Sequence, residues 1–489
     1  MARGKLEFSA ANYRQALREL SATSAWESLQ APKRREIYVP AAHGKALSPE
    51  YSIVEGMRGA GKSFWTAVLL NDETRHFVAA STRLAENLIV RVGFGLDLSD
   101  EHFPSRRRID DLLARSHTPD ALWRAVLLRH AVLAVQNPLP CPDDWDALVT
   151  WSEQQPAASD RILAECDRRL AEQGKVLLLL FDSLDRLAED WSRIRQRLSA
   201  ALKLCLECRT RRALRCKFFL RPDMVEDKDE IWRFADSSKL LHARAALDWR
   251  RDDLYSVILL QLANSPVVGD SFRDLLAATT GARWQAIDGA YPLPERWSAT
   301  VYQEVIEALA GPWVGRSVRK GYTYSWIPTH LSDAQGRLSP RSILLAFKEA
   351  AEWTAMNAPE CPTALHFQGI QQGVVKASET RINEISEDYP WIEPLLSALR
   401  GIAVPLTFDD LRERWTAACV SESLAAAADR QRLPPRHYSA APERPLNRLV
   451  DDLVELAVLY RTTDDRYNMP DIFRVGFGIK RKGGVRPPR

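Results

Sequence analysis

Gly56-Met57-Arg58-Gly59-Ala60-Gly61-Lys62-Ser63 fills every fixed position of the spacing G-x-x-x-x-G-K-[ST]. Glycines at these positions let a backbone wrap an anion with its N–H groups pointing inward, at φ angles a side chain resists. A lysine in this place reaches phosphate oxygens, a serine hydroxyl offers an oxygen to magnesium, and the following helix presents its positive end. The stretch therefore predicts a phosphate-binding loop in which Gly56, Gly59, Gly61, Lys62 and Ser63 hold ATP, with Ser63 also a ligand of Mg2+. The bland alternative is a Gly-rich turn before a helix. The flanks weigh against it, because Tyr51–Glu55 is a short β-prone run and Ser63–Leu70 reads as a helix.

Downstream, Val176–Phe181 is a fully apolar run ending in Asp182-Ser183-Leu184-Asp185. That is the pattern of a buried central parallel strand. A carboxylate at the tip of such a strand, beside the loop, is placed to hold magnesium, so Asp182 is expected as the second metal residue. The alternative is an Asp that caps the next helix. Asp185 either orients the attacking water or complements a helix dipole. Arg221 ends the next apolar strand, Cys216–Leu220, and either neutralises phosphate charge or is a solvated loop residue. Lys62, Asp182, Asp185 and Arg221 form the expected catalytic set. Arg341, in Ser339-Pro340-Arg341-Ser342, is a further nucleotide-contacting candidate, or else an Arg on a helix surface.

The surrounding pattern alternates strands with helices. Arg75–Ala80 reads as a second strand, about 82–172 as a polar helical insertion, and Trp191–Thr210 as a helix. The expected fold class is α/β, a doubly wound parallel sheet over residues 51–245. Residues 1–50 read as a helical preamble. The stretch 246–424 reads as a helical lid with helices at Asp252–Leu262 and Pro340–Thr354, and 425–445 as a linker rich in Ala, Pro and Arg. Residues 446–489 read as a helix and hairpin of winged-helix type, with a basic tail from Lys480.

Composition narrows the functional classes. The 489 residues carry 67 Lys plus Arg against 64 Asp plus Glu, a net charge of +3, so any nucleic-acid contact must come from local clustering such as the C-terminal tail. No apolar run spans a bilayer, and the first residues lack the apolar core of a signal peptide. Seven scattered cysteines fit reduced thiols, and a cytoplasmic protein without membrane contact is expected. Cys205-x-x-Cys208 with Cys216 reads as buried thiols, with a zinc site as the minority alternative. There are no internal repeats.

Leu177–Asp185 resembles the second nucleotide motif of STAND-type ATPases, in which the magnesium Asp is followed by a small residue, an apolar one and a second Asp. The strand ending in Arg221 resembles the Arg-ended fourth strand of that group. Leu247-Asp248-Trp249 is similar to the segment leading into their lid, and Ser339-Pro340-Arg341 to the lid Arg motif of the related KAP and AAA+ groups. Gly321–Trp326 and Met469–Arg474 resemble stretches of a bacterial family of P-loop ATPases. The resemblance implies a nucleotide-driven switch, often of signalling or anti-phage defence, that acts with an effector; an effector protein in trans is the expected partner, and a homo-oligomer is expected if Arg221 or another Arg acts across a subunit boundary. An alternative is a DNA-binding ATPase gripping nucleic acid through its C-terminal domain, as origin-recognition AAA+ proteins do. Arg186 stands where the STAND pattern has Glu, which keeps open a third reading, an ATP-binding scaffold with little hydrolysis.

Overall fold

The computed structural model describes residues 8–21, 30–80, 82, 84–96, 100–136, 139–294, 297–426, 434–440, 443 and 445–482. These form two compact units. One holds the described residues of 24–33 and Val39–Asp248; the other holds those of 1–23, Arg34–Tyr38 and Trp249–Arg489.

The first unit is α/β. Its sheet has five parallel strands: β1 Ile53–Glu55, β2 Leu88–Phe94, β3 Val176–Phe181, β4 Leu214–Leu220 and β5 Arg244–Ala246, in the order β2-β3-β4-β1-β5. Helices make the crossovers between them, as parallel strands require. β3 is an inner strand on which the helices Pro119–Ala134 and Pro156–Glu172 pack, so Leu177–Phe181 are buried and its sequence shows no polar alternation. Phe181 stacks on Phe218 of β4 with ring centroids 4.3 Å apart and takes the edge of Trp123 at 5.6 Å. Each such buried ring contributes roughly 1.5–3 kcal/mol of apolar burial.

The second strand is not where the sequence places it. Residues 75–79 continue a helix, Asp72–Ala79, with Ala80 as its C-cap, and its N-cap Asn71 accepts from the backbone of Thr74 at 3.0 Å. Asp72 and Glu73 in its first turn favour the helix dipole. The true edge strand is β2, so the expected helical insertion over about 82–172 opens with a strand before its helices begin at Arg106.

The other unit is helical, with small β elements near the C-terminus. Its longest helices, Pro340–Asn357 and Phe367–Asp388, approach at Gly373, where a Cβ would lie 2.1 Å from the Ala346 carbonyl oxygen. The N-terminal helix Ala10–Arg18 packs into this unit: Arg14 donates to the carbonyls of Pro359 at 2.7 Å, Ala364 at 3.0 Å, and Cys361 and Thr363 at 3.1 Å. The stretch expected as a preamble is thus divided: the described residues of 1–23 and 34–38 belong to the helical unit, and residues from Val39 to the α/β unit. At the far end the helix Leu446–Glu455 is followed by a hairpin of Tyr460–Arg461 and Tyr467–Asn468, and Lys480–Arg481 pairs in parallel with Ala403–Val404. Those pairings join 446–482 to the same helical unit. Within the expected linker, Arg436–Ala440 is helical, while 427–433, 441, 442 and 444 lie outside the described residues; so does the basic tail beyond Lys482. No described helix is long and apolar enough to cross a membrane.

Candidate nucleotide site

Three neighbouring strands, β3, β4 and β1, end together, and their carboxyl ends carry Asp182, Arg221 and Gly56. The register pairs Glu55 with Leu220 and Phe181 with Phe218, and the Gly56 N–H donates to the Leu220 carbonyl at 3.0 Å. In an open parallel sheet the crevice beyond these ends is where ligands bind.

The loop itself is shaped by its glycines. Gly61, at φ +102°, sits in the left-handed region as the N-cap of the helix Lys62–Leu70, a conformation an L side chain resists. A Cβ on Gly56 would stand 3.3 Å from Ala60, Lys62 and Leu247, so the loop closes on a floor that includes Leu247 after β5. Lys62 Nζ donates to the carbonyls of Gly56 at 2.7 Å and Met57 at 3.1 Å, which folds the ammonium over the loop it belongs to.

Asp182 is 1% exposed. Burial pushes its carboxyl up from the usual range, against the Ser63 hydroxyl hydrogen bond, the Lys62 charge and the Ser183 N–H, all of which favour the ionised form. Its Oδ2 is buried without a hydrogen-bond partner among the described residues. In the sheet β4 lies between β3 and β1, and Asp182 meets Ser63 and Lys62 of the loop from the end of β3. Ser183 follows at φ +55°, an unusual angle for a residue with a side chain, and opens a short 3-10 turn, Leu184–Arg186.

That turn brings Asp185 to 3.9 Å from Arg221. Arg221 also grips Asp223 through two hydrogen bonds of 3.1 and 2.8 Å. Arg186 points to solvent. Gly56, Gly59, Gly61, Lys62, Ser63, Asp182, Asp185 and Arg221 are therefore all within the α/β unit, on adjoining strand ends and the loop between them. Arg341 is not; it lies in the helical unit, paired with the buried Glu384 at 2.6 Å. Cys205, Cys208 and Cys216 are buried, with Cys216 Sγ 3.7 Å from Cys208 Sγ, and no group of three or more metal-ligating side chains forms among the described residues.

Two contributors were not legible in the sequence. His43, fully buried, accepts from Trp65 Nε1 at Nδ1, 3.2 Å, which leaves Nε2–H to donate to the Asp248 carbonyl at 3.1 Å. It thus ties the loop helix to the chain just after β5, and burial pulls its pKa down to about 4. Lys217 of β4, buried too, donates to the carbonyls of Ala46 at 2.7 Å, Ser48 at 2.9 Å and Tyr51 at 2.6 Å, fixing the approach to β1. Its pKa is drawn down to about 7 by desolvation.

Fold and site together define a P-loop nucleotide-binding core of α/β class. No family model matches the chain, and no curated protein matches it. Among solved structures it is similar to the ORC2 protein of Aeropyrum pernix, described in ADPNP–ADP complexes, at 12% identity over 91% of this chain and 98% of that one. The TM-score is 0.30, a likeness too loose to inform the site.

Proposed function

We propose that this chain binds ATP with Mg2+ and hydrolyses it, and that turnover drives a switch acting on a partner. The observation that carries the proposal is the buried Asp182 carboxylate, whose Oδ2 has no hydrogen-bond partner among the described residues while its surroundings hold Ser63 and Lys62. A buried polar atom left unsatisfied is rare and asks for a ligand. The donor set fits a hard cation: a carboxylate and a hydroxyl, both oxygen. When bound, magnesium supplies charge neutralisation on the β- and γ-phosphate oxygens.

The protein's share is positioning. The loop N–H groups cradle phosphate, Lys62 exchanges the Gly56 and Met57 carbonyls for phosphate oxygens, and Ser63 and Asp182 hold the metal. Asp185 is the candidate to orient water, and Arg221 beside it senses or neutralises the γ-phosphate charge. If an arginine of a second copy completes the site, turnover rises with protein concentration.

The test is ATP binding and turnover by the purified chain beside Lys62→Ala. Loss of the loop cation is expected to lower turnover roughly a hundredfold or more and to weaken binding. Equal binding by parent and variant removes the nucleotide reading.

A further inference from the structure

The hairpin between the helices Ala299–Ala310 and Thr323–Leu331 has no part in the nucleotide site and lies in the other unit. It is a built structure. Trp313 and Tyr322 form an antiparallel bridge, the Val314 N–H donates to the Gly321 carbonyl at 3.1 Å, and the Thr323 N–H to the Pro312 carbonyl at 3.0 Å. At the tip, the Gly321 N–H returns to the Val318 carbonyl at 3.0 Å. Gly315, at φ +151°, lets Lys320 fold against it, since a Cβ there would stand 2.6 Å from Lys320 Cγ.

This well-bonded frame displays side chains that a folded protein ordinarily hides or pairs. Trp313 is 38% exposed, Val318 49% and Tyr322 50%. Arg316, Arg319 and Lys320 are exposed and make no ion pair or side-chain hydrogen bond with any described residue. From residue 308 to 332 the chain contains no acidic residue at all. Elsewhere on the surface some arginines are matched, as Arg108 is with Asp144 and Asp146, or Arg168 with Glu165 and Glu172; what distinguishes this hairpin is three cations on one short turn in a stretch without acids.

We propose that the hairpin Trp313–Tyr322 is a contact surface for single-stranded nucleic acid. Three unmatched cations on a short turn suit successive phosphates, and two guanidinium groups offer planar forks for their oxygens. Aromatic rings flanking the cations, Trp313 and Tyr322 paired at the base of the turn, suit base stacking, the combination that binds single strands without reading sequence. An acidic protein would satisfy the charges but leaves half-exposed Trp and Tyr rings without planar partners, so a strand of bases is the better fit. Because the surface is separate in the chain from the phosphate loop, this proposal stands or falls independently of ATP binding.

The experiment is fluorescence anisotropy of a labelled oligothymidylate of about 30 nucleotides with the full chain, without nucleotide, across a salt series. Four proteins are compared: the parent, the triple charge reversal Arg316→Glu/Arg319→Glu/Lys320→Glu, Trp313→Ala/Tyr322→Ala, and the chain ending at Lys482. The parent and the truncated chain are expected to bind alike, with affinity falling steeply in salt. The charge reversal should weaken binding at least roughly tenfold and flatten the salt slope by about two. The aromatic pair should lose roughly tenfold while the slope stays. Neutral Gln replacements serve if the reversed charges alter the melting temperature. Equal binding by all variants, loss only on truncation, binding to duplex as tight as to single strand, or equal displacement by polyglutamate would each overturn the proposal.

Discussion

The Asp182 carboxylate sits where ionisation is opposed by burial and favoured by Ser63 and Lys62, and burial prevails. Its acid form is held above the usual range, so the folded chain loses stability as pH rises through that raised value, and a neutral isostere relieves the penalty. Asp182→Asn is accordingly expected to melt no lower than the parent without nucleotide at neutral pH, while turnover with magnesium falls roughly a hundredfold. A lower melting temperature with turnover intact would place the side chain in the fold and not in the chemistry. His43 runs the other way. Its pKa of about 4 lies below the ordinary 6.5, so between those values the unfolded chain takes up a proton the native one refuses. Stability is unaffected above about pH 6.5 and falls as pH drops toward 4, by up to roughly 3 kcal/mol from this residue. Denaturant unfolding of His43→Gln beside the parent between pH 7.5 and 4.5 should show a slope smaller by about one proton; parallel slopes would refute the buried neutral ring. The phosphate loop was legible because its residues are contiguous and their types are set by contact with an anion. His43 and Lys217 were not, since what defines them is a partner 22 residues away for one and three carbonyls at least 166 residues away for the other. No local spacing encodes such a pairing.

At the scale of elements, legibility followed periodicity and its limits. β3 announced itself by an unbroken apolar run, and the helices over 191–208, 251–263 and 340–357 by their length and pattern. The failure over 75–80 is instructive: Phe77-Val78-Ala79-Ala80 is too short to show a period, and the deciding signal is the Asn71 cap with its acidic first turn. The strand that was passed over, Leu88-Ile-Val-Arg-Val-Gly-Phe94, carries β-branched residues in plain sight, but it sits on the sheet edge and its Arg91 is exposed, which reads as polar chain. Helix crossings were invisible, as they depend on which faces meet. Gly373 marks one. With a Cβ only 2.1 Å from the Ala346 carbonyl oxygen, Gly373→Ala must push the helices Pro340–Asn357 and Phe367–Asp388 apart. The expected loss is roughly 2–3 kcal/mol, seen as a drop of several degrees in the melting of the helical unit. Because alanine is the better helix former, an unchanged or raised melting temperature would show that propensity outweighs the clash.

The whole molecule divides its tasks. Every expected nucleotide residue except Arg341 lies between Val39 and Asp248, together with the supports His43, Lys217 and Leu247. This stretch has its own sheet and its own buried core, the size and composition of an independently folding domain. Arg341, meanwhile, is bound to Glu384 within the helical unit, and Glu384 is also 3.2 Å from Arg381. A guanidinium held by a shared buried carboxylate has a structural duty of its own. The fragment 39–248 is therefore expected to fold and to bind ATP with magnesium in a way that Lys62→Ala abolishes, measured by calorimetry. Binding by the fragment at close to the affinity of the full chain would leave Arg341 to its pairing with Glu384. A folded fragment that binds ATP a hundredfold more weakly would instead give residues beyond 248 a direct share in holding the nucleotide, and the full-length Arg341→Ala variant would then have to reproduce that loss.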